Sequence, residues 1–115
     1  MTLDEFRREM LLYRQSADDE ARSLKSPYIA LERLRVLYGK FDSAERLMVN
    51  EVLAEWALSK DEGIRFDALA LIDDLKIETA VPALQGLAAR LASSGVLGAP
   101  YELKKVARII VKLTS

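Results

Sequence analysis

Apolar positions along this chain recur at steps of three and four, and one four-position pattern returns at an interval of 38 residues: Ala30/Leu31/Leu34/Leu37, Ala68/Leu69/Ile72/Leu75 and Val106/Ala107/Ile110/Leu113. Such steps place side chains on one face of a helix. Equivalent apolar faces at a fixed interval mark stacked helical hairpins, which cannot bury those faces alone and pack on their neighbours. No long segment alternates with period two, and turn dipeptides at hairpin spacing are missing, so strands are not predicted.

Caps and breakers divide the pattern into about six helices. The first opens at Thr2, where Thr2-Leu3-Asp4-Glu5 forms a capping box, and carries Phe6, Met10, Tyr13, Ala17, Ala21 and Leu24 at helical steps. Ser26-Pro27 caps the second, and Gly39 is expected to supply a left-handed stop. Asp42-Ser43-Ala44-Glu45 starts the third, whose buried stripe is Val49, Val52, Leu53 and Trp56. The fourth begins near Asp61 to Gly63 and runs to Leu75. The fifth starts around Glu78 or Thr79, with Pro82 tolerated because the first turn has no internal hydrogen bond to lose, and ends near Ser93-Ser94-Gly95. Gly98-Ala99-Pro100 restarts the chain into a sixth helix reaching about Thr114. Short connections favour antiparallel neighbours, so hairpins are expected from helices two and three and from helices four and five.

The length of 115 residues suits one domain, residues 1–115, burying roughly two thirds of the surface its unfolded chain exposes. With 50% apolar and 30% charged residues the chain can collapse and remain soluble. No apolar run approaches the roughly 20 residues that span a bilayer, and Met1-Thr2-Leu3-Asp4-Glu5 is acidic where a secretory signal is basic and then apolar, so a cytoplasmic address without membrane association is expected. Cysteine and histidine are both absent, which removes disulfides, thiolate metal sites and the commonest catalytic bases. Charge is uneven along the chain. Residues 1–41 hold eight basic and seven acidic side chains, residues 42–78 four and ten, and residues 79–115 five and one, so an acidic middle precedes a basic end.

The segment Asp61 to Leu91 resembles a HEAT repeat. The matching elements are its acidic helix start, Ile64-Arg65 in the first turn, Ala68-Leu69, Ile72 and Leu75 along one helix, a tight turn, and then Ala80-Val81-Pro82-Ala83-Leu84 with Leu87. Residues 27–59 keep only the first-helix spacing, and residues 101–114 match the first helix alone. The resemblance implies an α-solenoid: an all-α, right-handed stack of antiparallel helix pairs that binds proteins or peptides and, less often, nucleic acid. Arg65 falls on a family position whose role is structural, with Asp61, Asp73 or Asp74 as the expected partner. Small free-standing bacterial proteins of this kind include toxin-neutralising immunity proteins.

Candidate chemistry is sparse. Asp18-Asp19-Glu20 and Asp73-Asp74 lack a calcium loop or convergent spacing, so no metal, cofactor or catalytic residue is expected and the chain is read as a non-enzyme. Trp56, inside an apolar stripe, is read as core. Glu45, Glu51, Glu55, Asp61 and Glu62 are the candidate partner-binding residues, as an acidic helical face steering a basic protein such as a toxin domain. The expected function is therefore a non-enzymatic protein-binding module, an inhibitor or immunity protein. The alternative readings are a scaffold or adaptor subunit, and a nucleic-acid-associated protein using Tyr101, Lys104, Lys105, Arg108 and Lys112 on the last helix. Four cations make a small electrostatic footprint, which ranks nucleic acid below protein.

Overall fold

The computed structural model describes residues 2–24 and 29–115, with side chains described for all of these except residues 17, 18, 20–24, 29 and 30. Its elements are α1 (Leu3–Leu24), α2 (Ile29–Gly39), α3 (Ser43–Ala57), α4 (Glu62–Leu75), a single 3-10 turn (Glu78–Ala80), α5 (Val81–Ala92) and α6 (Ala99–Thr114). Among the described residues there is no strand, so the fold is all-α. The Ser26-Pro27 start expected for the second helix lies outside the described residues.

The helix starts follow local chemistry. Thr2 Oγ1 accepts the Glu5 N–H at 3.2 Å while Glu5 Oε1 accepts the Thr2 N–H at 3.4 Å, the reciprocal capping box read from the sequence. Asp42 and Glu45 repeat it at α3, with bonds of 2.8 and 3.1 Å. Asp61 Oδ1 accepts the Ile64 N–H at 3.0 Å and caps α4. Pro82 stands in the first turn of α5, where its missing N–H breaks no bond.

The helix ends differ from expectation. Gly39 is the last residue of α2 and does not adopt the left-handed conformation expected of it; among the described glycines only Gly98 has positive φ. Arg46 takes over the stop, donating from Nε to the Tyr38 carbonyl at 3.2 Å and from Nη2 to the Gly39 carbonyl at 3.1 Å. At the end of α4 the left-handed position is held by Lys76, φ 53°. The Ile77 N–H bonds the Ile72 carbonyl at 3.1 Å across it, and both isoleucines are buried, which is the hydrogen-bond and apolar pairing of a Schellman stop.

The chain divides into two compact units, residues 1–52 and 53–115. In the first, α1 packs on α2, and Phe6, Met10, Leu34, Val49 and Val52 are buried. Phe6 meets Phe41 edge to face, ring centroids 5.4 Å apart. The Tyr38 hydroxyl donates to Asn50 Oδ1 at 3.0 Å, and the Arg46 guanidinium lies 5.3 Å from the Tyr38 ring centroid.

In the second unit α5 packs most closely on α6, and α6 also meets α4. Leu53, Trp56, Leu69, Ile72, Leu84, Leu87, Val106 and Ile109 are among its buried side chains, so Trp56 is core, as its stripe implies. Two ion pairs fix the direction of α4 against α6. Arg65 pairs with Glu102 near their starts and Asp73 with Lys112 near their ends, separations of 37 and 39 residues, so the two helices run parallel. Arg65, early in α4, and Arg90, late in α5, both reach the Ser59 carbonyl, which makes α5 antiparallel to α4, as the expected hairpin requires.

The third copy of the 38-residue pattern is shifted in phase. Ala107 is exposed and Ile110 half-buried, while α6 buries Val106, Ile109 and Leu113. The difference is one of width: α4 buries Ala68, Leu69, Leu71 and Ile72 over a broad arc, and α6 buries only a narrow stripe, leaving Tyr101 and Val111 in solvent.

Gly86, inside α5, has no positive φ, and a Cβ added there would meet only Leu58 Cδ2, at 4.0 Å. Gly86→Ala should therefore stabilise the protein by about 1 kcal/mol through helix propensity alone, read as a rise in the urea midpoint with an unchanged slope.

Candidate binding groove

Two arginines organise one end of the second unit. The α3 helix ends at Ala57 and leaves the carbonyls of Leu58, Ser59 and Lys60 without helical partners. Arg90 donates to the Leu58 carbonyl at 2.9 Å and to the Ser59 carbonyl at 3.4 Å, and Arg65 donates from Nη1 to the Ser59 and Lys60 carbonyls at 3.1 and 3.2 Å. The other side of the Arg65 fork grips Glu102, Nε to Oε1 at 2.8 Å and Nη2 to Oε2 at 3.1 Å. Arg65 is structural, as expected, but its hydrogen-bonded carboxylate is Glu102 and not Asp61, Asp73 or Asp74: Asp61 caps α4 and adds only a Coulombic pull on Arg65, and Asp73 and Asp74 lie near the far end of α4, where Asp73 pairs with Lys112 at 3.2 Å. The Glu102 hydrogen bonds raise the Arg65 pKa above its ordinary value, against an opposing effect of burial. The stability that a raised arginine pKa reports is lost with rising pH only above arginine's ordinary range, so this clamp does not weaken with alkali in the physiological range.

Beside this clamp opens a groove of about 1140 Å³ formed by the start of α4, the end of α5, residues 93–98 and the first half of α6. Its lining carries six basic side chains against two carboxylates, Glu62 and Glu102. With Arg65 and Arg90 committed to structure, Lys60, Lys104, Lys105 and Arg108 supply the cationic wall. The Lys105 ammonium sits 4.5 Å from the Phe66 ring centroid, which keeps a half-exposed aromatic face beside the charge.

The lip of the groove is apolar. Leu97 is 100% exposed, Tyr101 85% and Val96 71%, values that exclude any packing role within the fold. The backbone imposes this exposure. The Val96 N–H bonds Ser94 Oγ at 3.1 Å, the Ala99 N–H bonds the Val96 carbonyl at 3.1 Å, and Gly98 at φ 91° turns the chain into α6. The link is a built turn that presents valine and leucine outward.

The structure distributes the five acidic candidates over different tasks. Glu45 is half-buried in the α3 capping box and Asp61 caps α4. Glu55 is exposed and engaged with another group. Glu51 and Glu62 stand in solvent, Glu62 at the mouth of the basic groove. Of the basic candidates, Lys104, Lys105, Arg108 and Tyr101 line the groove, while Lys112 is drawn away to Asp73. The sequence reading missed Phe66, Val96, Leu97 and Lys60. The available signal was the Val96-Leu97 pair, an apolar dipeptide inside a serine- and glycine-rich turn.

Among the described residues no group of three or more acidic, histidine or cysteine side chains is placed to hold a metal ion, and no helix is long and apolar enough to cross a membrane. The side chains of Asp18 and Glu20 lie outside those described. No family model matches this chain, and comparisons with curated proteins and with solved structures gave no significant match. The class that the fold defines is an all-α protein of successive packed helices.

Proposed function

We propose that this protein is a non-enzymatic protein-binding module built on a HEAT-like helical repeat. The repeat reading is supported by the parallel course of α4 and α6 with α5 antiparallel between them in sequence, and by cross-links 37 and 39 residues apart that bracket the 38-residue interval. The binding reading rests on one observation: a hydrogen-bonded turn holds Val96 and Leu97 in water beside Tyr101. Contiguous exposed apolar groups rimmed by charge are the mark of an interaction site.

The narrower reading, an immunity protein that neutralises a basic toxin through Glu45, Glu51, Glu55, Asp61 and Glu62, draws support from the ten carboxylates of residues 42–78. With Glu45 and Asp61 held in caps, steering would fall mainly to Glu51 and Glu62, so it stands second.

A photo-reactive phenylalanine analogue placed at Leu97 in the native cell tests the module reading. The expected result is a discrete protein adduct that resists nuclease and is not formed when the analogue replaces Gln85, an exposed α5 residue that does not line the groove. A nucleic-acid adduct, or none, would refute the reading.

A further inference from the structure

Resting on that protein-binding reading, we infer that the groove of the second unit receives an acidic peptide segment with an apolar anchor, a partner opposite in charge to the one the chain's acidic middle suggests. The lining decides the sign. Four cations not tied into the clamp, Lys60, Lys104, Lys105 and Arg108, face a space whose two carboxylates include Glu102, already neutralised by Arg65. Lys104, Lys105 and Arg108 succeed one another along the half of α6 that follows the apolar lip, so charge and hydrophobic surface are arranged in sequence. A segment laying a leucine or phenylalanine against Val96, Leu97 and Tyr101 would carry its following carboxylates past Lys104 and Arg108.

The apolar part of the surface separates this partner from a nucleic-acid strand. Tyr101 can stack on a base, but Val96 and Leu97 are aliphatic and offer a base neither a stacking face nor a hydrogen bond. Phe66 is covered by the Lys105 ammonium on one side, which suits a carboxylate approaching that lysine beside an apolar contact.

Fluorescence anisotropy with the full chain tests the inference using a labelled glutamate-rich peptide bearing leucine and phenylalanine four residues apart. Saturable binding is expected at low salt. Lys104→Glu combined with Arg108→Glu should weaken it roughly tenfold, because both reversals replace an attraction by a repulsion. Leu97→Asp should weaken it by a similar factor while Leu97→Met retains it, and circular dichroism should be unchanged because all three side chains are exposed. Equal binding of the same peptide with lysine in place of glutamate would overturn the inference, as would binding of a dodecathymidylate in preference to the acidic peptide. A concentration-dependent dimer in sedimentation that Leu97→Asp dissolves would assign the groove to a second copy of this chain and overturn it equally. If the Leu97 photo-adduct is a protein and the acidic peptide does not bind, the module reading stands and the partner class falls; if the adduct itself is missing, both fall.

Discussion

Arg65→Ala should destabilise the protein by about 2–3 kcal/mol, more than most substitutions of a surface arginine, because this side chain serves two elements at once. Its fork holds both oxygens of Glu102 and its third nitrogen holds the Ser59 and Lys60 carbonyls, with the Arg65 and Glu102 side chains only 14% and 21% exposed. Removing it leaves a partly buried carboxylate and the Lys60 carbonyl short of a donor, and leaves the Ser59 carbonyl with the longer bond from Arg90. Arg65→Lys should recover little, since an ammonium cannot span the two carboxylate oxygens and two carbonyls from one position. Chemical denaturation of the three proteins, with Arg65→Ala/Glu102→Ala to close the cycle, measures the effect. A loss below about 0.5 kcal/mol for Arg65→Ala would show that the pair is an ordinary surface contact.

Phe6→Ala should cost about 3–5 kcal/mol, the largest effect of any substitution considered. Phe6 is 1% exposed and presents its ring to Phe41 at an interplanar angle of 82°, so truncation removes both a buried volume and an edge-to-face contact. Phe41 lies in the link between α2 and α3, and its ring would lose its aromatic partner, which ties the first helix to that link. Phe6→Leu should retain more than half of the stability lost by alanine, because volume is largely kept while the ring contact is not. Thermal and urea unfolding of the two variants distinguish the contributions, and a near-neutral Phe6→Ala would mean that α1 contributes little to the fold.

Much of the helix content was legible because it depends on neighbours three or four residues apart. The Thr2/Glu5 and Asp42/Glu45 boxes, the Asp61 cap and the Pro82 and Gly98 boundaries are all local, and each stands where the sequence puts it. The failures are of longer range. Gly39 read as a left-handed stop because glycine permits one, but the α2 carbonyls are taken by Arg46, seven and eight residues on, and the glycine is not needed in that role. Lys76 takes a left-handed position with no sequence sign, its cost offset by burial of Ile72 and Ile77 around it.

The candidate site was legible only in part for a related reason. The cations of α6 were visible as a cluster, yet their apolar companions come from a turn and from α4, brought alongside by the α5–α6 packing and the Arg65–Glu102 pair. Several acidic residues carry a task that a count of charge does not show. Net charge over residues 42–78 counts Asp42, Glu45 and Asp61 fully, although all three hold helix N-termini in place.

The two ties between α4 and α6 are unequal in their response to salt. Asp73 and Lys112 are 34% and 58% exposed, within easy reach of counterions, whereas the guanidinium clamp is shielded and doubly bonded. As ionic strength rises the distal tie therefore weakens before the clamp does, and the clamp is the tie that borders the cationic recess. Weakening of ligand attraction by salt would then report screening of Lys104 and Arg108 themselves, with the recess keeping its shape.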